Sequence, residues 1–184
     1  MLLGGRLTLS EAFRAGALGL TQRWSGQDHG RLLVLGESPG WPGAMVADGS
    51  MGDPFGDVAS QHFDTVLAVL WLARQPLPAD GAVRALRRML WPNGRLLMVE
   101  PVRRPGHWGQ AASWIGSVVE PASAPALGAT APALLRAQGF NVASVERISM
   151  PRRHGLAPTL ARIEARPTPD VVAARAGAGI GRAS

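Results

Sequence analysis

The residues of this sequence that could do chemistry fall into two groups. In the first, Gly36 and Gly40 follow an apolar run at residues 31–35. Glycines there would let a ligand approach the backbone, although an ordinary tight turn has the same pattern. The second group is a carboxylate and an imidazole, Glu100 and His107. His107 is the better candidate base because its ordinary pKa is near neutrality. The alternatives are that Glu100 simply ends a strand and that His107 flanks a helix.

The absence of cysteine excludes several kinds of site. Disulfide scaffolds, thiolate zinc sites and cysteine nucleophiles all need a residue type that the chain lacks. His29, His62 and His154 are isolated, without the spacing of metal ligands among themselves or with carboxylates. We therefore predict no metal site.

The chain is basic, with a net charge of +6, and all 19 of its basic residues are arginine. The arginines are scattered rather than concentrated in one run, which favours a solvated surface over a nucleic-acid site. The densest group is Arg152, Arg153 and His154, followed by further arginines, where RNA or an anionic partner remains an alternative. Apolar runs such as residues 65–73 are far too short to span a membrane. We expect a cytoplasmic protein without a targeting segment.

The pattern of apolar runs predicts an α/β protein. Strand and helix signals alternate in the order strand, helix, turn and strand, which is typical of a parallel βαβ unit. Predicted strands cover residues 31–35, 44–47, 63–70, 95–100, 140–148 and 160–166. Predicted helices cover residues 10–20, about 80–90, 107–119 and 130–138, and Ser10 and Asp80 are the predicted N-caps of the first two. A break in regular secondary structure is predicted at residues 92–94. We expect one domain over residues 1–166 and a disordered basic tail over residues 167–184.

Several short motifs resemble those of class I S-adenosylmethionine (SAM)-dependent methyltransferases, in the small-molecule, methyltransferase type 11-like branch. That family has a glycine-rich turn after its first strand, then an Asp-containing turn, a Pro-Phe pair and a Phe-Asp-x-Val strand. A Leu-x-Pro-Gly-Gly-x-Leu strand ending in Glu-Pro follows, and a Leu-Leu-x-x-Ala-Gly-Phe helix precedes the last strands. The corresponding segments here are Leu33-Val-Leu-Gly-Glu-Ser-Pro-Gly40, Asp48-Gly-Ser, Pro54-Phe55, Phe63-Asp-Thr-Val66, Leu90-Trp-Pro-Asn-Gly-Arg-Leu96, Glu100-Pro101 and Leu134-Leu-Arg-Ala-Gln-Gly-Phe140.

The resemblance implies a Rossmann-like, mostly parallel sheet flanked by helices, with SAM at the carboxyl ends of its strands. The residues that it places at the cofactor are Gly36, Glu37, Ser38, Gly40, Asp48, Gly49, Ala68 and Val69. A small-molecule substrate would lie near Glu100 and His107, the candidate catalytic residues, and Trp108 and Trp114 would line its pocket or pack in the core.

The sequence departs from the family at three points. The middle glycine of the turn is Ser38, and Val34 stands where an acidic residue is common. The interval from Gly40 to Asp48 is too short for the usual second strand, third strand and intervening helices, so part of that region is missing. Asp48 then either follows the third strand, near adenine, or takes the ribose-binding role of the second; the nearby Pro54-Phe55 and Phe63-Asp64 favour the adenine role.

Two functions follow from the resemblance and its departures. The first is a SAM-dependent methyltransferase acting on a small molecule. The second is a methyltransferase-like protein without catalytic activity, which acts as a binding or stabilising partner in a homodimer or heterodimer. In the second case, a partner would cover the surface that the missing segment exposes.

Overall fold

Three α-helices and six strands make up the described part of the chain. The computed structural model describes residues 9–47, 62–72, 75, 79–102, 131–150 and 159–169. The helices are α1 (Leu9–Thr21), α2 (Asp80–Met89) and α3 (Ala131–Ala137), and a short 3-10 helix, Gln22–Trp24, follows α1. The strands are β1 (Leu32–Gly36), β2 (Met45–Ala47), β3 (Phe63–Val69), β4 (Leu90–Val102), β5 (Phe140–Ser149) and β6 (Thr159–Pro167). All six predicted strands are present, which confirms the α/β class.

The strands form one mixed sheet in the order β2-β1-β3-β4-β6-β5. The first four strands are parallel, whereas β6 is antiparallel to both β4 and β5. A full doubly wound sheet has two strands beyond its first strand, in the order 3-2-1-4-5-6. In the described residues only β2 lies beyond β1, as the short interval after Gly40 predicts.

Helices cover both faces of the central strands, because alternate side chains of a strand point to opposite sides. On one face, Phe13 and Ala17 of α1 pack against Val34 of β1 and its neighbours. On the other face, Leu86 of α2 and Leu135 of α3 pack in the larger of the two core clusters. The apolar runs of β1 and β3 are therefore buried on both sides, as a parallel sheet requires.

The connection between β1 and β2 crosses one face of the sheet without a helix. It consists of residues 37–44, and β2 then runs parallel to β1 with Leu33 opposite Met45. Parallel neighbours are usually joined by a dozen or more residues. Trp41 and Ala44 pack on the face that α1 covers, opposite α2. The β1–β2 connection and the β3–β4 connection, which contains α2, lie on opposite faces of the sheet and lead toward opposite edges. The two crossovers therefore have the same hand, in agreement with the handedness rule for parallel strands.

Two predicted helix caps are wrong. The helix α1 begins at Leu9, so Ser10 lies inside the helix rather than before it. Asp80 is the first residue of α2, and Ala79 precedes it without a side-chain cap. The Asp80 carboxylate instead accepts a hydrogen bond from the Gln138 amide at 3.1 Å, which ties α2 to the end of α3.

The predicted break in regular secondary structure at residues 92–94 is also wrong, because β4 runs continuously from Leu90 to Val102. The pairing of β4 with β3 shifts register there: Phe63 is opposite Leu90, and Thr65 is opposite Arg95. The additional residues of β4, with Pro92 among them, lie in this irregularity. A proline is tolerated in such a place because no ladder hydrogen bond needs its missing N–H.

The last described segment, residues 159–169, includes the predicted domain boundary at residue 166. Pro167 belongs to β6, the Thr168 amide donates to the Gly139 carbonyl at 2.8 Å, and Arg87 donates to the Thr168 carbonyl. Residues 170–184, the predicted helix over residues 107–119 and the basic turn at residues 151–155 lie outside the described residues. Within those described, no helix is long and apolar enough to cross a membrane.

Candidate functional site

The carboxyl ends of β1, β3 and β4 meet at one edge of the sheet. The strand order reverses at β1, which has β2 on one side and β3 on the other. Ligands of open α/β sheets bind in the crevice outside the carboxyl ends at such a switch point. Residues 36–40 and 70–72, which follow β1 and β3, therefore form the candidate site.

Gly36 allows β1 and β3 to approach each other closely at this edge. It has a φ of +80°, and a Cβ atom on it would lie 2.3 Å from the carbonyl oxygen of Val69 and 3.1 Å from Cβ of Trp71. The amide of Glu37 donates to the same Val69 carbonyl at 3.0 Å. Gly36 is thus required for packing between the strands, irrespective of any ligand.

Gly40 has a different environment within the same turn. Its φ is +71°, and no atom of the described residues lies within 4 Å of a Cβ placed on it. Its amide donates to the Ser38 hydroxyl at 3.2 Å, which closes a local turn. The backbone of Gly40 is exposed, so open space lies beside the turn at the switch point.

Glu37 forms an ion pair with the first helix. Its Oε1 lies 3.2 Å from Nε of Arg14 in α1, and the Glu37 side chain is partly buried. The pair places an arginine beside the turn that follows β1. Arg14 has no signal in the sequence, because no pattern within α1 distinguishes it from other exposed arginines.

The turn after β3 contains a strained residue. Leu70 has a φ of +52°, although it is not glycine, and its side chain is fully buried. This conformation costs about 1 kcal/mol or more in an L-residue and is found where surrounding contacts fix it. The Leu70 amide donates to the Val99 carbonyl of β4 at 2.9 Å. Gln75 holds the residues after Leu70 by two hydrogen bonds. Its backbone amide donates to the Leu72 carbonyl, and its side-chain amide donates to the Trp71 carbonyl.

Glu100 lies at the same edge, on β4. Its side chain is buried, with 3% of its surface exposed, and Oε1 accepts a hydrogen bond from the Leu72 amide at 2.7 Å. The carboxylate therefore joins β4 to the turn after β3. No feature of the sequence indicated this contact, because Leu72 is one of many apolar residues.

The structure brings some of the predicted cofactor residues together and separates others. Gly36, Glu37, Ser38 and Gly40 form one turn, and the Val69 backbone contacts it. The side chain of Ala68 is fully buried on the face toward α2, so it offers no surface to a ligand. Asp48, Gly49 and His107 lie outside the described residues.

From the sequence, Trp41 and Trp71 could lie on the cofactor side or pack in the core. Trp41 lies away from the candidate site. Its ring stacks on His29 at the opposite end of β1, with ring centroids 4.8 Å apart. Trp71, by contrast, lies beside Gly36, and its side chain is buried in the core.

A polar cluster joins the chain before β1 to β4 at the amino ends of the strands. Nη2 of Arg95 lies 3.0 Å from Nδ1 of His29 and 2.6 Å from the Asp28 carbonyl, and Nε2 of His29 lies 2.8 Å from the Trp24 carbonyl. Burial lowers the pKa of His29 below its ordinary value of 6.5; the Trp24 carbonyl opposes this effect, and Arg95 adds to it.

The start of β3 is fixed to the start of β1 by Asp64, whose carboxylate accepts the Arg31 amide at 2.8 Å. This contact gives Asp64 a structural role at the start of β3. No three histidine or acidic side chains in the described segments are grouped as metal ligands would be.

No protein-family model matches the chain, and no curated protein matches it. Solved structures are similar in fold. The cyclase SpnF has a TM-score of 0.58 at 18% identity, over 89% of this chain and 84% of that one. A Burkholderia thailandensis 1,6-didemethyltoxoflavin-N1-methyltransferase, with 1,6-didemethyltoxoflavin and S-adenosylhomocysteine bound, has a TM-score of 0.54 at 17% identity, over 87% and 80%. LepI in complex with SAM has a TM-score of 0.51 at 13% identity, over 83% of this chain and 40% of that one.

These similarities establish the fold, which is that of class I SAM-dependent methyltransferases. The chain retains that fold with only one strand, β2, beyond β1 in its described part. Identities this low do not determine an activity, and fold alone never does.

Proposed function

We propose that the chain binds SAM at the turn of residues 36–40 and transfers its methyl group to a small molecule. The observation that carries the proposal is Gly40, whose exposed backbone faces open space at the switch point of the sheet. The bound ligands of the toxoflavin methyltransferase and of LepI support the same cofactor class.

The residues of the turn fit this cofactor. SAM has a cationic sulfonium and an amino group, and the turn offers the Glu37 carboxylate and the Ser38 hydroxyl as acceptors beside open backbone. Gly36 and the Val69 carbonyl, which accepts the Glu37 amide, would hold the turn against β3. Ala68 would contribute only through the packing of β3.

We assign the ribose-binding role to Asp48, with Gly49 beside it in sequence. In the doubly wound strand order, the second strand adjoins the first, and an acidic residue associated with it binds the ribose hydroxyls. The strand β2 adjoins β1, and Asp48 follows directly after Ala47, the last residue of β2. This topology favours the ribose role over the adenine role for Asp48, which itself lies outside the described residues.

The protein's own task in the reaction would be alignment and proton removal. SAM, when bound, supplies an electrophilic methyl group with a good leaving group, so little covalent help is required. His107 is the proposed base, since an imidazole with its ordinary pKa accepts protons near neutral pH. Glu100, the second candidate, is buried at the same edge of the sheet.

The alternative is a partner protein without catalytic activity, and two observations favour it. The Glu37 carboxylate is already paired with Arg14, and within the described residues the three-residue strand β2 is the last strand on its side of the sheet. Met45 and Val46 of that strand are 38% and 55% exposed, an apolar edge that a second chain of the same or another kind would cover. The fold also occurs in the cyclase SpnF, so it does not by itself imply methyl transfer.

Calorimetric titration with SAM and S-adenosylhomocysteine tests the proposal, with Gly40→Asn and Gly43→Asn as a matched pair. Both glycines have a φ near +70°, no atom in the described part of the chain lies within 4 Å of a Cβ placed on either, and asparagine tolerates this conformation. Only Gly40 belongs to the proposed cofactor turn. We expect micromolar binding to the wild type, a loss of about tenfold or more in Gly40→Asn, and little change in Gly43→Asn.

Two results would contradict the cofactor proposal. An equal effect of the two substitutions would place the ligand elsewhere. No heat at millimolar ligand, with protein shown to be folded, would favour the partner protein, whose oligomeric state should then be measured.

A further inference from the structure

We infer that Glu100 is a positioning residue, whose carboxylate fixes the turn of residues 70–72 beside the ligand crevice by accepting the Leu72 amide hydrogen. The turn and the crevice exist in the fold itself, whereas the consequence for cofactor affinity rests on the proposed function. This role differs from that of a base in contact with substrate.

The Glu100–Leu72 hydrogen bond has the properties of a strong structural contact. The distance from Oε1 to the amide nitrogen is 2.7 Å, at the short end for an N–H donor to a carboxylate. The side chain is 3% exposed, and a buried carboxylate needs hydrogen-bond partners to compensate for its lost hydration. The backbone of residue 72 therefore has a fixed anchor on β4.

Consecutive residues of β4 fix the two sides of the strained residue. The Val99 carbonyl accepts the Leu70 amide, and the Glu100 carboxylate accepts the Leu72 amide two residues later. Between these contacts, Leu70 has its positive φ. A strained backbone persists when its surroundings determine it from several sides, and Glu100 supplies one of those constraints.

The turn after β3 forms one wall of the crevice at the turn after β1. The Val69 carbonyl accepts the Glu37 amide, and Cβ of Trp71 lies 3.1 Å from the position of a Cβ on Gly36. With contacts this close, a shift of residues 70–72 would displace residues 36–37. Glu100 is thus coupled to the cofactor turn through the backbone of two loops.

The same contacts make a direct base role difficult for Glu100. A general base must be within hydrogen-bond reach of the proton that it removes. One oxygen of Glu100 accepts an amide hydrogen, and the side chain is almost completely buried. We therefore assign proton removal to other groups and conformational control of the turn to Glu100.

The test combines Glu100→Gln with Glu100→Ala in the full chain. Glutamine retains an oxygen that can accept the Leu72 amide hydrogen but cannot remove a proton, whereas alanine has neither ability. Amide hydrogen exchange without ligand should be at least about tenfold faster at Leu72 in the alanine variant and nearly unchanged in the glutamine variant. The Kd for S-adenosylhomocysteine should rise about tenfold in the alanine variant only.

Two outcomes would overturn the inference. One is unchanged exchange at Leu72 in Glu100→Ala. The other is loss of methyl transfer in Glu100→Gln with unaltered cofactor affinity and exchange, which would identify Glu100 as a base. If the wild type binds no S-adenosylhomocysteine, the proposed function fails, and the exchange of Leu72 in the two variants still decides the role of Glu100. Glutamine is the variant to rely on if alanine prevents folding.

Discussion

Gly36 and Gly40, in the turn after β1, differ in the steric contacts that a side chain at each position would make. Both have positive φ values, which cost an L-residue about 1–2 kcal/mol. At Gly36 a Cβ would also collide with the Val69 carbonyl, the acceptor of the Glu37 amide, whereas at Gly40 it would meet nothing. The first glycine is thus needed for folding, and the second is available for binding.

We predict that Gly36→Ala lowers the free energy of unfolding by roughly 2–4 kcal/mol, from backbone strain together with overpacking. Gly40→Ala has the strain alone and should lose about 1 kcal/mol. Urea denaturation of the two variants measures both values. Equal losses would mean that β3 moves away from Gly36 at little cost.

The sequence was sufficient to predict that residues 36–40 form a turn after a buried strand, but not the contacts of its side chains. Apolar runs and glycines are local signals, which a single sequence displays directly. The Arg14–Glu37 and Glu100–Leu72 contacts join residues far apart in the chain, and neither partner has a distinctive neighbourhood in the sequence. Such contacts become visible only when the strands are placed side by side.

At the scale of elements, the segment between the 3-10 helix and β1 is attached to β4 through His29. A neutral ring with its hydrogen on Nε2 can donate to the Trp24 carbonyl while Nδ1 accepts from Arg95. Protonation would place an N–H opposite the Arg95 guanidinium and remove this acceptor. Burial lowers the pKa of His29, whereas the Asp28 carboxylate, in the same segment, raises it and accepts the Gly30 amide.

We predict that acidification destabilises the protein through His29. Its folded-state pKa is lowered, so the contribution is fully present above the unfolded value of 6.5 and is lost as the pH falls below it. Between about pH 7.5 and about pH 5.5, the wild type should therefore lose more unfolding free energy than His29→Gln. Thermal or urea denaturation at both pH values measures the difference.

His62→Gln, which removes an exposed histidine, is the control and should retain the larger loss. An identical pH dependence in the wild type and His29→Gln would show that the His29–Arg95 contact does not contribute to stability.

The element boundaries show where local signals fail. The break predicted at residues 92–94 rests on the usual effect of a Pro-Asn-Gly segment, yet β4 continues through it. Pairing with β3 resumes at Arg95, whose side chain reaches Thr65 and the segment before β1. Tertiary contacts on both sides of the irregularity therefore override the turn preference of these residues.

At the scale of the whole molecule, two separate cores share one sheet. The cluster under α1 includes Phe13, and the cluster under α2 and α3 includes Leu86. Both clusters are built on alternate residues of the same strands, so neither can be lost without removing support from the other. This arrangement is expected of a single cooperative domain.

We predict one unfolding transition, coincident by far-ultraviolet circular dichroism and by tryptophan fluorescence. Phe13→Ala should lower the free energy of unfolding by about 3–5 kcal/mol and Leu86→Ala by about 2–5 kcal/mol, with both probes shifting together. Transitions that separate in either variant would mean that the two faces unfold independently.

The helix-free connection from β1 to β2 has a consequence for solubility. Eight extended residues span up to about 26 Å, enough to return past the paired part of β1 without a helix. In the described residues, the strand that they reach has three residues, two of them exposed and apolar. An exposed sheet edge can recruit foreign strands and seed aggregation, and natural proteins often limit this by keeping edge strands short. Within the described part of the sheet, β2 thus forms an edge that is too short to be a good template for intermolecular polymerisation.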